Sequence, residues 1–142
     1  MAAQDNAALA RGIYDLFNQG QLERAADLAA PDVEVVVVPF GQTFQGPDGF
    51  MGFMKTFKDA FPDIQITVTN QVASEDQVVN ECTWTGTHSG PLASPGGEIP
   101  PTGKQVAGAQ FCEVWRIADG KVARLVNYQD VATWLRQLGL AS

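Results

Sequence analysis

From Ile64 to Tyr128 the chain is a succession of strand-like runs broken by turn residues, and this constrains the fold more than any other feature. Ile64-Gln-Ile-Thr-Val-Thr-Asn-Gln-Val72 alternates apolar and polar side chains, so one face is buried and the other wet. Glu75-Asp76 turns the chain into a longer strand from Val78 to about His88. Another strand covers about 104–117, Ala118-Asp-Gly120 turns again, and Lys121 to Tyr128 forms the next. Strands in succession joined by turns pair as an antiparallel meander, whose apolar face must be covered by helices.

The first half of the chain supplies those helices. Leu9, Ile13, Leu16 and Phe17 recur at three- and four-residue intervals over 5–18, with Asp5 or Asn6 placed to cap the start and Gly20 to end it. A second short helix, about 21–29, carries Leu22, Ala25, Ala26 and Leu28 and stops at Pro31. Val33-Glu-Val-Val-Val-Val38 is a β-branched run suited to a strand, closed by Pro39 and Gly41. Gly46-Pro47-Asp48 opens a third helix whose Phe50, Met51, Phe53, Met54 and Phe57 make it apolar over much of its circumference. Such a helix packs on more than one side. A last helix, about 130–138, ends at Gly139. The expected fold is α+β: a curved, mostly antiparallel sheet wrapped around helices, forming a cone with a cavity inside. The Gly/Pro-rich stretch Gly90 to Gly103 reads as a loop over the opening.

Composition narrows the function. The 142 residues fit one domain, 1–142, without repeat, low-complexity tail or linker. A net charge of −7 repels phosphate backbones and anionic lipid, which disfavours nucleic-acid and membrane-surface roles. No window approaches the roughly 18 apolar residues of a membrane span, and Met1-Ala-Ala-Gln-Asp5 lacks the features of a signal peptide, so a cytoplasmic location is expected. Cys82 and Cys112 read as reduced packing residues, with a bridge open to them if their strands bring them face to face. With His88 the sole histidine, a metal site built on several imidazoles is excluded.

The candidates for chemistry are few. Asp130 stands where the last strand meets the closing helix. It reads either as a helix cap or as an acid/base in desolvating surroundings, and both roles can coincide. Strand alternation sets Val78, Cys82, Trp84, Gly86 and His88 on one face, so His88 at its rim is either structural or a proton shuttle. Tyr14 and Tyr128 can donate to a developing oxyanion or serve as core aromatics. Phe17, Met51, Met54, Trp84, Phe111 and Trp115 supply an apolar wall for a flat ligand. No Gly-x-Ser-x-Gly elbow, phosphate loop or dinucleotide fingerprint is present, so no cofactor is expected.

Several segments together resemble a known family. Phe57-Lys-Asp-Ala-Phe-Pro-Asp63, Gly86-Thr-His-Ser-Gly90, Pro100-Pro-Thr-Gly-Lys104, Ile117-Ala-Asp-Gly-Lys121, Asn127-Tyr-Gln-Asp130 and Gln137-Leu-Gly139 resemble, in order, motifs of SnoaL-like polyketide cyclases. These belong to the ketosteroid-isomerase-like, or nuclear transport factor 2-like, superfamily. The resemblance implies a cone-shaped barrel with a deep pocket, assembled as a homodimer or homotetramer. It implies an intramolecular aldol condensation on a small apolar carbonyl compound without metal or cofactor, as a lyase or isomerase. Asp130 matches the family's acid/base position, and a histidine is also implicated. One departure is that Val126 or Asn127 stands where a Trp often precedes the aspartate. Two other expectations share this fold, a non-catalytic module holding a small ligand or partner, and an epoxide-hydrolase-like enzyme. The latter would want a second carboxylate around one water.

Overall fold

A computed structural model describes residues 2–140. The chain runs through α1 (Ala3–Asn18), α2 (Leu22–Ala26), β1 (Ala29–Val37), a 3-10 turn (Val38–Phe40), β2 (Gln42–Gln45) and α3 (Gly46–Ala60). It continues through β3 (Gln65–Ala73), β4 (Gln77–Thr87), β5 (Leu92–Ser94), β6 (Gly97–Ile99), β7 (Gln105–Ala118), β8 (Lys121–Gln129) and α4 (Val131–Gln137). Six strands form one sheet in the order β2-β1-β8-β7-β4-β3. The expected meander is present as β3, β4, β7 and β8, each antiparallel to the next.

The early valine strand joins this meander where sequence alone gave no partner. β1 lies parallel to β8, with Val35 opposite Leu125 and Val37 opposite Asn127, and short β2 pairs with its outer edge. Because α2 and α3 flank β1, the helical half of the chain is folded onto the concave side of the sheet. Register shifts between Val68 and Asn70, between Trp84 and Gly86, and between Arg116 and Ile117 interrupt three adjacent ladders. Bulges of this kind bend a strand and increase its twist, which lets the sheet curl.

Alternation is kept along the central strands. On β7, Val106, Ala109, Phe111, Glu113, Trp115 and Ile117 are buried, while Gln110 and Arg116 are exposed. The buried apolar side chains of sheet and helices form one continuous cluster. At ~25 cal/mol per Å² of apolar surface removed from water, this cluster is what holds helices to sheet.

Two local expectations are corrected, the cap of α1 and the open loop. Ala2, not Asp5 or Asn6, occupies the cap position of α1, without a side-chain cap bond. Asn6 is instead buried, and its Nδ2 donates to the carbonyls of Ser74 (3.0 Å) and Glu75 (2.9 Å), tying α1 to the β3–β4 turn. The Gly/Pro-rich stretch is not an open loop. It contains the β5–β6 hairpin, whose buried Leu92 packs toward α3. The two cysteines stand on opposite faces: Cys82 lies opposite Phe111 on the concave side, whereas Cys112 pairs with Glu81 and Tyr128 on the outer side. Both thiols are free, and burial pushes Cys82 up to about 12. Finally, no helix is long and apolar enough to cross a membrane among the described residues.

Candidate functional site

The concave side of the sheet and the helices α1 and α3 enclose a cavity with about 560 Å³ of atom-free space, mouth included. Its walls are aromatic and aliphatic for a simple reason. The apolar stripe of α1 presents Ile13, Tyr14 and Phe17, and the broad apolar surface of α3 presents Phe50, Phe53, Met54 and Phe57. Period-two alternation adds Trp84 from β4, Phe111 and Trp115 from β7, and Leu125 from β8. Tyr14 sits against Trp115 with ring centroids 5.1 Å apart, and Phe111 meets Tyr14 edge-on at 6.5 Å.

Three polar side chains break this lining: Glu113, Asn127 and Gln129. Glu113 is inward-facing because it sits two residues from both Phe111 and Trp115 on β7, and only 4% of it is exposed. Its Oε1 accepts from Tyr14 Oη (2.6 Å) and Trp115 Nε1 (3.2 Å), and its Oε2 accepts from Asn127 Nδ2 (2.7 Å). Asn127 Oδ1 in turn accepts from Gln129 Nε2 at 2.8 Å. The ion pairs among the described residues, Lys55–Asp59 and Arg124–Glu34, are half-exposed and remote in composition from this lining. Glu113 is thus satisfied by neutral donors alone.

Burial dominates its electrostatics. Desolvation raises the Glu113 carboxyl above the usual carboxylate range, and the bonds from Tyr14, Asn127 and Trp115 hold that rise back. Tyr14 is pushed well above its ordinary value by its own burial and by the adjacent carboxylate, so it stays a phenol. A carboxyl poised upward in an apolar chamber is suited to accept and return a proton.

Of the residues expected at the site, Tyr14, Phe17, Met54, Trp84, Phe111 and Trp115 line this cavity. Met51 is half-buried on α3 and is not among the lining residues. Tyr128 faces outward from β8, 48% exposed. His88 is fully buried beyond the end of β4, its Nδ1 3.0 Å from Thr102 Oγ1 and accepting from the Thr102 backbone N–H at 3.2 Å. With its backbone bonded to Lys104 and Gly103, it fastens the two ends of the 88–104 excursion together.

Asp130 stands in the helix-cap role, one of the two readings its position allowed. Its carboxyl is exposed and caps α4, accepting from the Thr133 backbone N–H (3.2 Å) and the Thr133 hydroxyl (2.6 Å). These bonds hold it below the usual carboxylate range, opposite to the upward shift that a desolvated base would show. The helix-cap reading describes its position. Glu113 was the carboxylate overlooked. Its signal lies in the sequence, since it is the charged member of the alternating set Phe111, Glu113, Trp115 and Ile117.

A curved sheet packed around helices over a largely apolar cavity is the ketosteroid-isomerase-like class of fold. The family model for SnoaL-like polyketide cyclases matches residues 7–138, and the chain belongs to that family. Among solved structures it is similar to AclR, a candidate hydroxylase from Streptomyces galilaeus, with TM-score 0.83 and 25% identity over 99% of this chain and 89% of that one. A SnoaL-like candidate polyketide cyclase from Jannaschia sp. CCS1 gives TM-score 0.82 and 19% identity, covering 99% and 95%. IdmH, a candidate polyketide cyclase from Streptomyces antibioticus, gives TM-score 0.76 and 30% identity, covering 94% and 97%. No curated protein sequence matches the chain significantly.

Proposed function

We propose that this protein closes a ring within a small, apolar, carbonyl-bearing molecule held in the cavity, with Glu113 as the acid/base. The observation that carries the reading is a wholly enclosed carboxyl on an aromatic-walled chamber. Family membership and the 30% identity to a candidate polyketide cyclase support the reaction class.

The chemistry needs little machinery. Glu113 removes a proton from a carbon beside a carbonyl, leaving an enolate. The enolate carbon attacks a second carbonyl of the same molecule and forms the new C–C bond. The resulting alkoxide takes the proton back from Glu113, which restores the carboxylate. While Glu113 is neutral, the Tyr14 hydroxyl no longer has an anion to serve and can turn toward the enolate oxygen. Aromatic walls on several sides keep the flexible substrate folded, which lowers the entropic part of the barrier. A hydrolase of the epoxide-opening type gains no support, because Glu113 is the single carboxylate among the described lining residues.

The test begins with a thermal-shift screen of flat aromatic and poly-carbonyl ester compounds. Hits are then followed for the absorbance of a newly closed ring. Glu113→Gln is expected to keep ligand binding and lose about 10²–10⁴-fold in turnover, whereas Asp130→Asn retains it. Loss of turnover in Asp130→Asn with activity intact in Glu113→Gln would reverse the assignment. The reading also includes self-association through the outer face of the sheet, where Tyr128 stands exposed. Light scattering on Tyr128→Glu checks that part, with a fall to monomer expected.

A further inference from the structure

The hydrogen bonds on Glu113 continue away from the cavity to a residue that does not touch it. Glu113 Oε2 accepts from Asn127, Asn127 Oδ1 accepts from Gln129 Nε2, and Gln129 Oε1 accepts from Trp134 Nε1 at 3.3 Å. Trp134 belongs to α4, is 1% exposed, and is held by edge contacts to Phe40 and Trp84 at 6.4 and 6.2 Å. It is not one of the cavity-lining residues.

An amide side chain can present either its oxygen or its nitrogen to a neighbour, so a chain of amides can run in two directions. An indole N–H can only donate. The atom of Gln129 facing Trp134 must therefore be oxygen. That turns the Gln129 nitrogen toward Asn127, which must then offer its oxygen there and its nitrogen to Glu113. Running the chain backwards would set N–H against N–H at Trp134. We infer that Trp134 is a positioning residue, whose indole N–H fixes the polarity of the Gln129–Asn127 relay so that Oε2 of Glu113 always meets a donor.

The consequence concerns where a proton on Glu113 can reside, and this rests on the acid/base reading above. Trp115 donates to Oε1 and the relay donates toward Oε2. A proton taken up by the carboxyl is left with the cavity or the Tyr14 oxygen as its outlets. The titratable groups facing Glu113 are Tyr14 from α1 and Cys82 from β4, while Cys112 beside it on β7 points to the outer face. The lining of α3 facing the cavity is Phe and Met only. Without the lock, Asn127 is free to present its carbonyl to the carboxylate, which disfavours the ionised form.

Infrared titration tests this on the intact protein. The carbonyl stretch of protonated Glu113 is identified as the band missing from Glu113→Gln, and its midpoint is read against pH. Trp134→Phe, which keeps a ring and deletes the N–H, is expected to move the midpoint further up. Gln129→Met is expected to move it the same way by breaking the relay at its centre, and it decides the matter if Trp134→Phe fails to fold. Phe40→Leu, which disturbs only the packing of Trp134, should leave the midpoint in place. An unchanged midpoint in a folded Trp134→Phe or Gln129→Met, or an equal shift in Phe40→Leu, would overturn the inference. The readout needs no substrate, so its failure is distinct from a failure of the ring-closure assignment, which the turnover of Glu113→Gln decides.

Discussion

Tyr14 Oη lies 2.6 Å from Glu113 Oε1, joining the first helix of the chain to a strand 99 residues later inside the hydrophobic interior. A hydrogen bond to a charged group contributes about 1.5–3 kcal/mol, and deleting it leaves the carboxylate with one donor fewer. Tyr14→Phe is therefore expected to destabilise the protein by about 1–3 kcal/mol near neutral pH. It should also raise the Glu113 carboxyl further. Urea denaturation of wild type and variant measures the first effect; infrared titration measures the second.

Glu113 itself makes stability pH-dependent in a defined direction. Its folded-state pKa is raised above the unfolded value, so the folded chain retains a proton that the unfolded chain has released. The stability it contributes is full below the unfolded carboxylate range and is lost as pH rises through the folded pKa. Subtracting the stability curve of Glu113→Gln from that of wild type should leave a difference that falls with rising pH and then levels. A difference that rises instead would contradict the burial of this carboxyl.

His88 should act with the opposite slope. Burial lowers its folded-state pKa, so the native ring is neutral, and its Nδ1 accepts from the Thr102 N–H. The contribution is present above the unfolded pKa of ~6.5 and is lost as pH falls through the folded value. Protonation would set two donors against each other at Thr102. Acid titration followed by hydrogen exchange should show the 88–104 segment opening first, and His88→Gln should remove that pH-dependent step.

Gly90 is required by close approach. A Cβ there would overlap the Asp59 carbonyl oxygen, at the point where the Ser89 and Gly90 N–H groups donate to the Ala60 carbonyl and clip the strand end to α3. Both partners are backbone, so neither yields cheaply. Gly90→Ala is expected to cost about 1–3 kcal/mol, the usual range for overpacking. Gly96→Ala, where nothing lies within 4 Å, serves as the silent comparison. Equal melting temperatures for the two variants would refute the steric account.

Asp130→Ala should cause a modest loss of thermal stability through the start of α4, with no change in ligand binding to the cavity. The side chain caps Thr133 and lies outside the cavity lining. Thermal melts with and without a screened ligand separate these effects: the melting temperature falls, and the ligand-induced shift stays the same.

Much of this was written in the order of residues. Alternation along β3, β4 and β7, the amphipathic stripe of α1 and the broad apolar face of α3 are periodic patterns, and each depends on residues within a few positions of one another. They determined the strands, the meander and the apolar character of Phe17, Met54, Trp84, Phe111 and Trp115 as cavity wall. The parallel seating of β1 on β8 and the pairing of Tyr14 with Glu113 depend on contacts across the whole chain, for which local pattern carries no register.

The carboxylates illustrate the division best. In the sequence Asp130 and Glu113 are equivalent acids beside aromatic residues, and motif position favoured Asp130. Only the closing of the sheet around α1 and α3 decided which one lost its water. A strand residue two places from Phe111 and Trp115 was carried inside, while one at the start of a short helix was left at the surface to cap it. Desolvation is a property of the enclosing walls, and those walls come from six separate parts of the chain, around α1, α3, β3, β4, β7 and β8.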